Sequence, residues 1–136
     1  MERKAKKSTT PRKSAPRKKT PEEIPNWLVA VRAAQSKKAE NIKVLDLRKV
    51  SSFADYFVIC SGANSRQIQA ISDEVGLQLK KKLGETPLNI EGYTNAEWIL
   101  LDYADLLVHV FSQQAREYYG LDRLWRHAAE IEIPSA

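Results

Sequence analysis

Two β-rich runs, Trp98-Ile99-Leu100-Leu101-Asp102-Tyr103 and Leu106-Leu107-Val108-His109-Val110-Phe111, stand two residues apart. A link that short between two strands is a hairpin turn. It also sets the register. With Ala104-Asp105 as the turn, Tyr103 faces Leu106, Leu101 faces Val108 and Ile99 faces Val110. Strand side chains alternate, so these six apolar residues share one face, and that face must meet the core. The opposite face pairs Trp98 with Phe111, Leu100 with His109 and Asp102 with Leu107. A solvated sheet face would carry Thr, Lys, Glu or Gln there. Large apolar groups with one carboxylate and one imidazole among them are the make-up of a protein-binding face, and tryptophan is enriched at the hot spots of such faces. Cover by a further helix is the alternative, with residues 27–39 as the obvious candidate. A sheet this small needs both of its long helices on the core face, so an open binding patch is expected.

The rest of the chain supplies those helices. Asn26 is placed to cap a helix over 27–39, where Trp27, Leu28, Val31 and Ala34 fall at helical spacing. Ile42–Leu47 is expected as a strand. Tyr56–Cys60 is continuously apolar and suits a central strand buried on both faces. Ile68, Ile71, Val75, Leu79 and Leu83 predict a long helix over 65–83, with Asn64 or Ser65 at its start and Gly84 at its end. A short strand over 88–91, the hairpin, a helix opening at Ser112 or Gln113 and a last turn at 121–125 complete the order. The fold class is α/β (α+β): a mixed sheet of about five strands with helices mainly on one face.

Charge divides the chain. Residues 1–21 hold nine Lys or Arg against Glu2 alone, while the remaining 115 residues hold 13 basic and 16 acidic side chains. The net charge of +5 therefore describes a tail, not a folded surface. Residues 1–25 are expected to be a disordered basic tail, because they offer too little apolar surface to offset the entropy of ordering. Residues 26–130 form the domain. The tail residues Lys4, Lys6, Lys7, Arg12, Lys13, Arg17, Lys18 and Lys19 are candidates for RNA phosphate contact, against the plainer alternative of a solvated arm.

Other classes are disfavoured. No apolar run approaches the roughly 20 residues of a membrane-spanning helix, and no apolar segment follows the basic N-terminus as in a signal peptide. Cys60 is the only cysteine, so neither an intrachain disulfide nor a cysteine-cluster zinc site is available, and a reducing compartment, the cytoplasm, is expected. No metal or cofactor is expected. Asp102 and Asp105 lie across a turn and do not form a carboxylate pair. Strand–Ser61-Gly62–helix weakly resembles a nucleotidyltransferase opening, but no Asp-x-Asp follows it, and P-loop and dinucleotide patterns are absent. No catalytic activity is expected.

Several separated motifs fall in one order: Ala54-Asp55-Tyr56-Phe57-Val58-Ile59-Cys60-Ser61-Gly62, Ser65-Arg66-Gln67, Glu91-Gly92, the run from Trp98 to Tyr103, Val108-His109-Val110-Phe111, and Arg116-x-Tyr118-Tyr119-x-Leu121-x-x-Leu124-Trp125. Across about residues 27–126 the chain resembles the ribosomal silencing factor RsfS, or Iojap, family. The resemblance implies a nucleotidyltransferase-like fold without the catalytic residues. It also implies binding to the large ribosomal subunit through its fourteenth ribosomal protein. Small-subunit joining is then blocked and translation repressed when nutrients are scarce, and the free protein is a homodimer. Trp98, Asp102 and His109 carry over as contacts. Leu100 and Leu107 are added from the alternation argument. Family members commonly have glycine where this chain has Ala104, so the hairpin turn is expected to be less comfortable here.

Overall fold

The computed structural model describes residues 24–135. In chain order the elements are α1 (Asn26–Ser36), β1 (Glu40–Asp46), β2 (Tyr56–Gly62), α2 (Ser65–Leu83), β3 (Asn89–Glu91), β4 (Trp98–Asp102), β5 (Leu106–Ser112), α3 (Gln113–Tyr119), α4 (Leu121–Leu124) and β6 (Ala129–Ile131). The strands lie in the order β3-β4-β5-β2-β1-β6. Among the described residues only β2 and β5 run parallel; every other neighbouring pair there is antiparallel. The sheet is mixed, as expected, but has six strands among the described residues rather than about five. The extra one, β6, pairs Ala129, Glu130 and Ile131 with the end of β1. Three residues carry no readable alternation, which is why the sequence conceals it. The folded unit therefore continues past residue 130, and Ile133 also packs on the core.

α1 and α2 lie together on one face. Their Val29, Val31, Ile68, Ile71, Val75 and Leu79 meet Ile99, Leu101, Val108 and Val110 of the hairpin, all 0–1% exposed. Fully burying each such side chain contributes roughly 1.5–3 kcal/mol. The hairpin register matches the alternation argument pair for pair, from Trp98 opposite Phe111 to Asp102 opposite Leu107. α2 also has its expected ends. The Asn64 side chain accepts from the Gln67 N–H, and Gly84 closes the helix with φ 67°.

α1 begins differently from the expectation. Pro25 occupies the cap position and Asn26 is the first helical residue, 1% exposed. Its Nδ2 donates to Glu85 Oε1 at 3.2 Å and to the Asp105 carboxylate at 3.3–3.4 Å. Asn26 thus ties the start of α1 to the hairpin turn instead of capping its own helix. The helix ends at Ser36, short of residue 39, because Lys38 turns left-handed with φ 61°. Ile24 packs against the core, so the folded unit starts before residue 26; residues 1–23 lie outside the described residues.

The hairpin turn carries the strain expected at Ala104, whose φ is 73°. The Asp105 N–H donates to the Tyr103 carbonyl across it, and Tyr103 N–H donates to the Leu106 carbonyl, both at 2.9 Å. Asp102 Oδ1 accepts the Ala104 N–H at 2.8 Å. A Cβ is unfavourable at positive φ. Ala104→Gly is expected to raise unfolding stability by about 1 kcal/mol, read as a higher denaturant midpoint at unchanged slope.

Candidate protein-binding interface

The second face of the hairpin is not the open patch that alternation alone predicts. Phe111 is 0% and His109 3% exposed, whereas Trp98, Leu100, Asp102 and Leu107 are only partly buried. The cover is not the first helix, which stays on the core face. It is a second apolar cluster, in which Leu45, Leu47, Phe57 and Ile59 pack with Phe111, Ala115 and Leu121, and Trp98, Leu107 and Trp125 close it from the rim. α3 and α4 therefore form part of this face.

Trp98 is fixed from several sides. Its ring centroid lies 4.8 Å from Phe111 and 5.0 Å from Tyr119. Its indole Nε1–H donates to His109 Nδ1 at 3.1 Å. Indole nitrogen can only donate, so Nδ1 is unprotonated and the neutral ring carries its hydrogen on Nε2. That Nε2 is buried with no partner among the described residues. Burial pushes the His109 pKa down to about 3, against a smaller upward pull from Asp122. An apolar side chain would fill this space without an orphaned N–H, which costs about 1–3 kcal/mol. What histidine supplies here is the acceptor that orients Trp98. His109 is thus too buried to present a surface of its own.

The backbone under Trp98 is equally constrained. Gly92 has φ 80°, and a Cβ on it would lie 2.1 Å from the Trp98 carbonyl oxygen. Only glycine lets that loop close against the strand. At the other end of the pair, Ser112 N–H donates to the Glu97 carbonyl at 2.9 Å, Ser112 Oγ donates to Glu97 Oε1 at 2.7 Å, and the same Oγ caps α3 by accepting from Ala115 N–H.

Aromatic rings continue on both sides of this anchor. Tyr118 lies 5.0 Å from Tyr119 on one side. On the other, His109 meets Phe57 at 4.5 Å, Phe57 meets Trp125 at 5.6 Å, and Trp125 meets Phe53 at 5.9 Å. The ends are exposed: Phe53 58%, Tyr119 56% and Tyr118 80%. A ridge of touching rings that ends in exposed aromatics has the character of a protein-binding surface. Sequence reasoning placed Trp98 and its strand neighbours there but missed Phe53, Phe57, Tyr119 and Trp125. Nothing in the spacing brings residue 119 beside residue 98 or residue 53 beside residue 125.

The remaining candidates sort clearly. Asp102 supports the turn through Ala104 and keeps its side chain partly exposed at the edge of the face. Asp105 points instead to Asn26, so the two carboxylates do not converge. Cys60 is 0% exposed and burial pushes its thiol up to about 12, which makes it unreactive. Among the described residues no group of three or more His, Cys, Asp or Glu is placed to hold a metal ion, and no helix is long and apolar enough to cross a membrane. Lys4, Lys6, Lys7, Arg12, Lys13, Arg17, Lys18 and Lys19 lie outside the described residues.

Comparison with known proteins places this geometry among relatives. A family model described as "Ribosomal silencing factor during starvation" matches residues 19–136. The chain is similar to the ribosomal silencing factor RsfS of Halalkalibacterium halodurans, 42% identical over 108 residues that span 77% of this chain and 89% of that protein. It is also similar to the chloroplastic protein Iojap of Zea mays, 33% identical over 106 residues that span 76% of this chain and 44% of that protein. Among solved structures, protein CV0518 of Chromobacterium violaceum superposes with a TM-score of 0.72 at 28% identity, covering 82% of this chain and 91% of that one.

Proposed function

The chain belongs to the ribosomal silencing factor (RsfS/Iojap) family, and on that premise we propose that it docks on the large ribosomal subunit through the fourteenth large-subunit ribosomal protein. Bound there, its bulk occupies the surface that the small subunit needs, and translation falls when nutrients are scarce. The action is steric, takes place in the cytoplasm and involves no catalytic step. The observation that carries the proposal is Trp98, partly exposed and held by His109, Phe111 and Tyr119 in the middle of an aromatic ridge. A rigid aromatic anchor binds with little loss of side-chain entropy. Leu100 and Leu107 widen the apolar contact, Asp102 meets a basic group at its rim, and His109 acts through Trp98.

Co-sedimentation with isolated subunits tests this. The expected result is binding to the large subunit alone, followed by failure of that complex to join small subunits. Binding to the small subunit, or unimpaired joining, overturns the proposal. The basic tail is proposed to add contacts with ribosomal RNA. Changing Arg17, Lys18 and Lys19 to Gln is then expected to flatten the salt dependence of large-subunit binding, by a log–log slope of about 2–3. An unchanged slope removes the tail from the interface. The free protein is proposed to be a homodimer, so its particle mass in solution should be twice 15.5 kDa.

A further inference from the structure

Among the described residues the sheet has two open edges, β3 and β6. An open edge presents unpaired backbone groups that can pair with another strand. At β3 the edge is also apolar. Ile90 stands opposite the buried Leu101, so its side chain lies on the helix face of the sheet. There it lines a groove of about 300 Å³ with Gly76 and Leu77 of α2 and with Tyr93 of the following loop. Leu77, Ile90 and Tyr93 are exposed, and Leu88, just before the strand, is 74% exposed. A cluster of exposed apolar side chains marks an interaction surface, and this one lies on the opposite face of the sheet from the Trp98 ridge.

α2 presents one strip to this groove: Asp73, Gly76, Leu77 and Lys80, at the three- and four-residue spacing of a single helix face. The single chain gives Gly76 no role. Glycine weakens the interior of a helix, yet nothing stands within 4 Å of the place its Cβ would take. Packing inside the chain therefore does not require it, whereas a second helix brought close to α2 would. The strip is also complementary to itself. A two-fold axis through the edge, perpendicular to the sheet, sets two copies of β3 antiparallel and two copies of α2 antiparallel. With the axis level with Gly76 and Leu77, Asp73 of each copy faces Lys80 of the other. With the same axis at Ile90, Asn89 of each copy faces Glu91 of the other, an amide against a carboxylate, as within the chain, where Asn89 Nδ2 donates to Glu91 Oε2. β6 fails the same operation. An axis at Ile131 sets Glu130 against Glu132 of the other copy, and like charges directly opposite destabilise an antiparallel pair.

We propose that the chain self-associates through β3 and α2, joining two sheets edge to edge about a two-fold axis at Ile90, with Leu77 and Ile90 of both copies at the centre of the contact. The proposal rests on the reading that the free chain is a homodimer, and it names the surface that reading leaves open. The Trp98 ridge, on the other face, stays uncovered.

Disulfide trapping in the full chain tests it. Cys60, the only cysteine, is buried, so an introduced cysteine reports alone. Directly opposite residues of an antiparallel pair lie about 4.5–5.5 Å apart at Cα, within disulfide reach. Under mild oxidation Ile90→Cys is expected to give a disulfide-linked dimer as its main product, and Glu130→Cys, on the other edge, to give none. In sedimentation velocity, Gly76→Gln and Leu77→Lys are each expected to raise the dimer dissociation constant roughly tenfold or more, with the far-UV circular dichroism of the unaltered chain. The new side chain in Gly76→Gln enters open space in the single chain, so its effect on association is separate from folding. Equal cross-linking by Glu130→Cys and Ile90→Cys, or an unaltered dissociation constant in both sedimentation variants, overturns this surface and leaves the homodimer standing. An unaltered chain that sediments at 15.5 kDa at every concentration overturns both.

Discussion

Trp98→Ala is expected to lower affinity for the large subunit by about 2 kcal/mol or more, roughly 30-fold, while the protein stays folded. The ring sits at the middle of the ridge, with Phe111 beneath it and Tyr119 beside it. Groups so placed lose the most on truncation, because their neighbours exclude water around them. Tyr118, 80% exposed at the end of the ridge, is expected to matter far less when changed to alanine. Trp98→Phe separates area from orientation. It keeps most of the ring surface but removes the indole N–H that His109 accepts. An intermediate affinity is the expected result. Binding assays with far-UV melting curves for the same variants check all three, and wild-type affinity in Trp98→Ala contradicts the anchor.

Stability is expected to fall by roughly 2–3 kcal/mol between pH 7 and pH 4.5, and His109 is the reason. In the unfolded chain it takes a proton near its ordinary value of 6.5, while burial holds the folded side chain neutral down to about 3. The unfolded state therefore binds more protons across this window, so stability decreases as pH falls. The depressed carboxylates act lower. Asp46, held at about 2 chiefly by its hydrogen bond from Arg48, and Asp122, held down chiefly by its hydrogen bond from Arg116, contribute stability above the ordinary value of 3.8 and lose it only below that. Asp46 is largely exposed to solvent screening and contributes little. Denaturant titrations at several pH values check the expectation. His109→Gln should flatten the profile between pH 7 and 4.5, and a wild-type slope in that variant assigns the effect elsewhere.

Strong local patterns made much of this fold readable from the sequence. The hairpin register follows from alternation and a two-residue link, and α2 from five apolar residues at helical spacing between Asn64 and Gly84. β2 was readable as doubly buried because its apolar run is continuous: residues 57–62 are buried throughout. Features that depend on tertiary partners were not readable. Asn26 has the residue type of a cap, yet Pro25 takes that position and the Asn26 amide reaches residues 59 and 79 positions away. The second face is half covered because residues 53, 57, 119 and 125 converge on it, and separations of that size leave no periodic signal. Nothing in the local pattern around Arg116 shows that Asp122, Ser61 and Asn41 hold it as a largely buried tie. Alternation places Trp98 on the second face and the family resemblance implies it as a contact; its fixed orientation is visible only with His109 beside it.

The most direct measurement places a photo-reactive benzoylphenylalanine at Tyr118, at the exposed end of the ridge and one ring away from Tyr119. After irradiation with isolated large subunits, the cross-linked protein is identified by mass spectrometry. The account predicts a single main product, the fourteenth large-subunit ribosomal protein, which disappears when Trp98→Ala is added. A main product with any other ribosomal protein, or one that persists in the Trp98→Ala background, contradicts it.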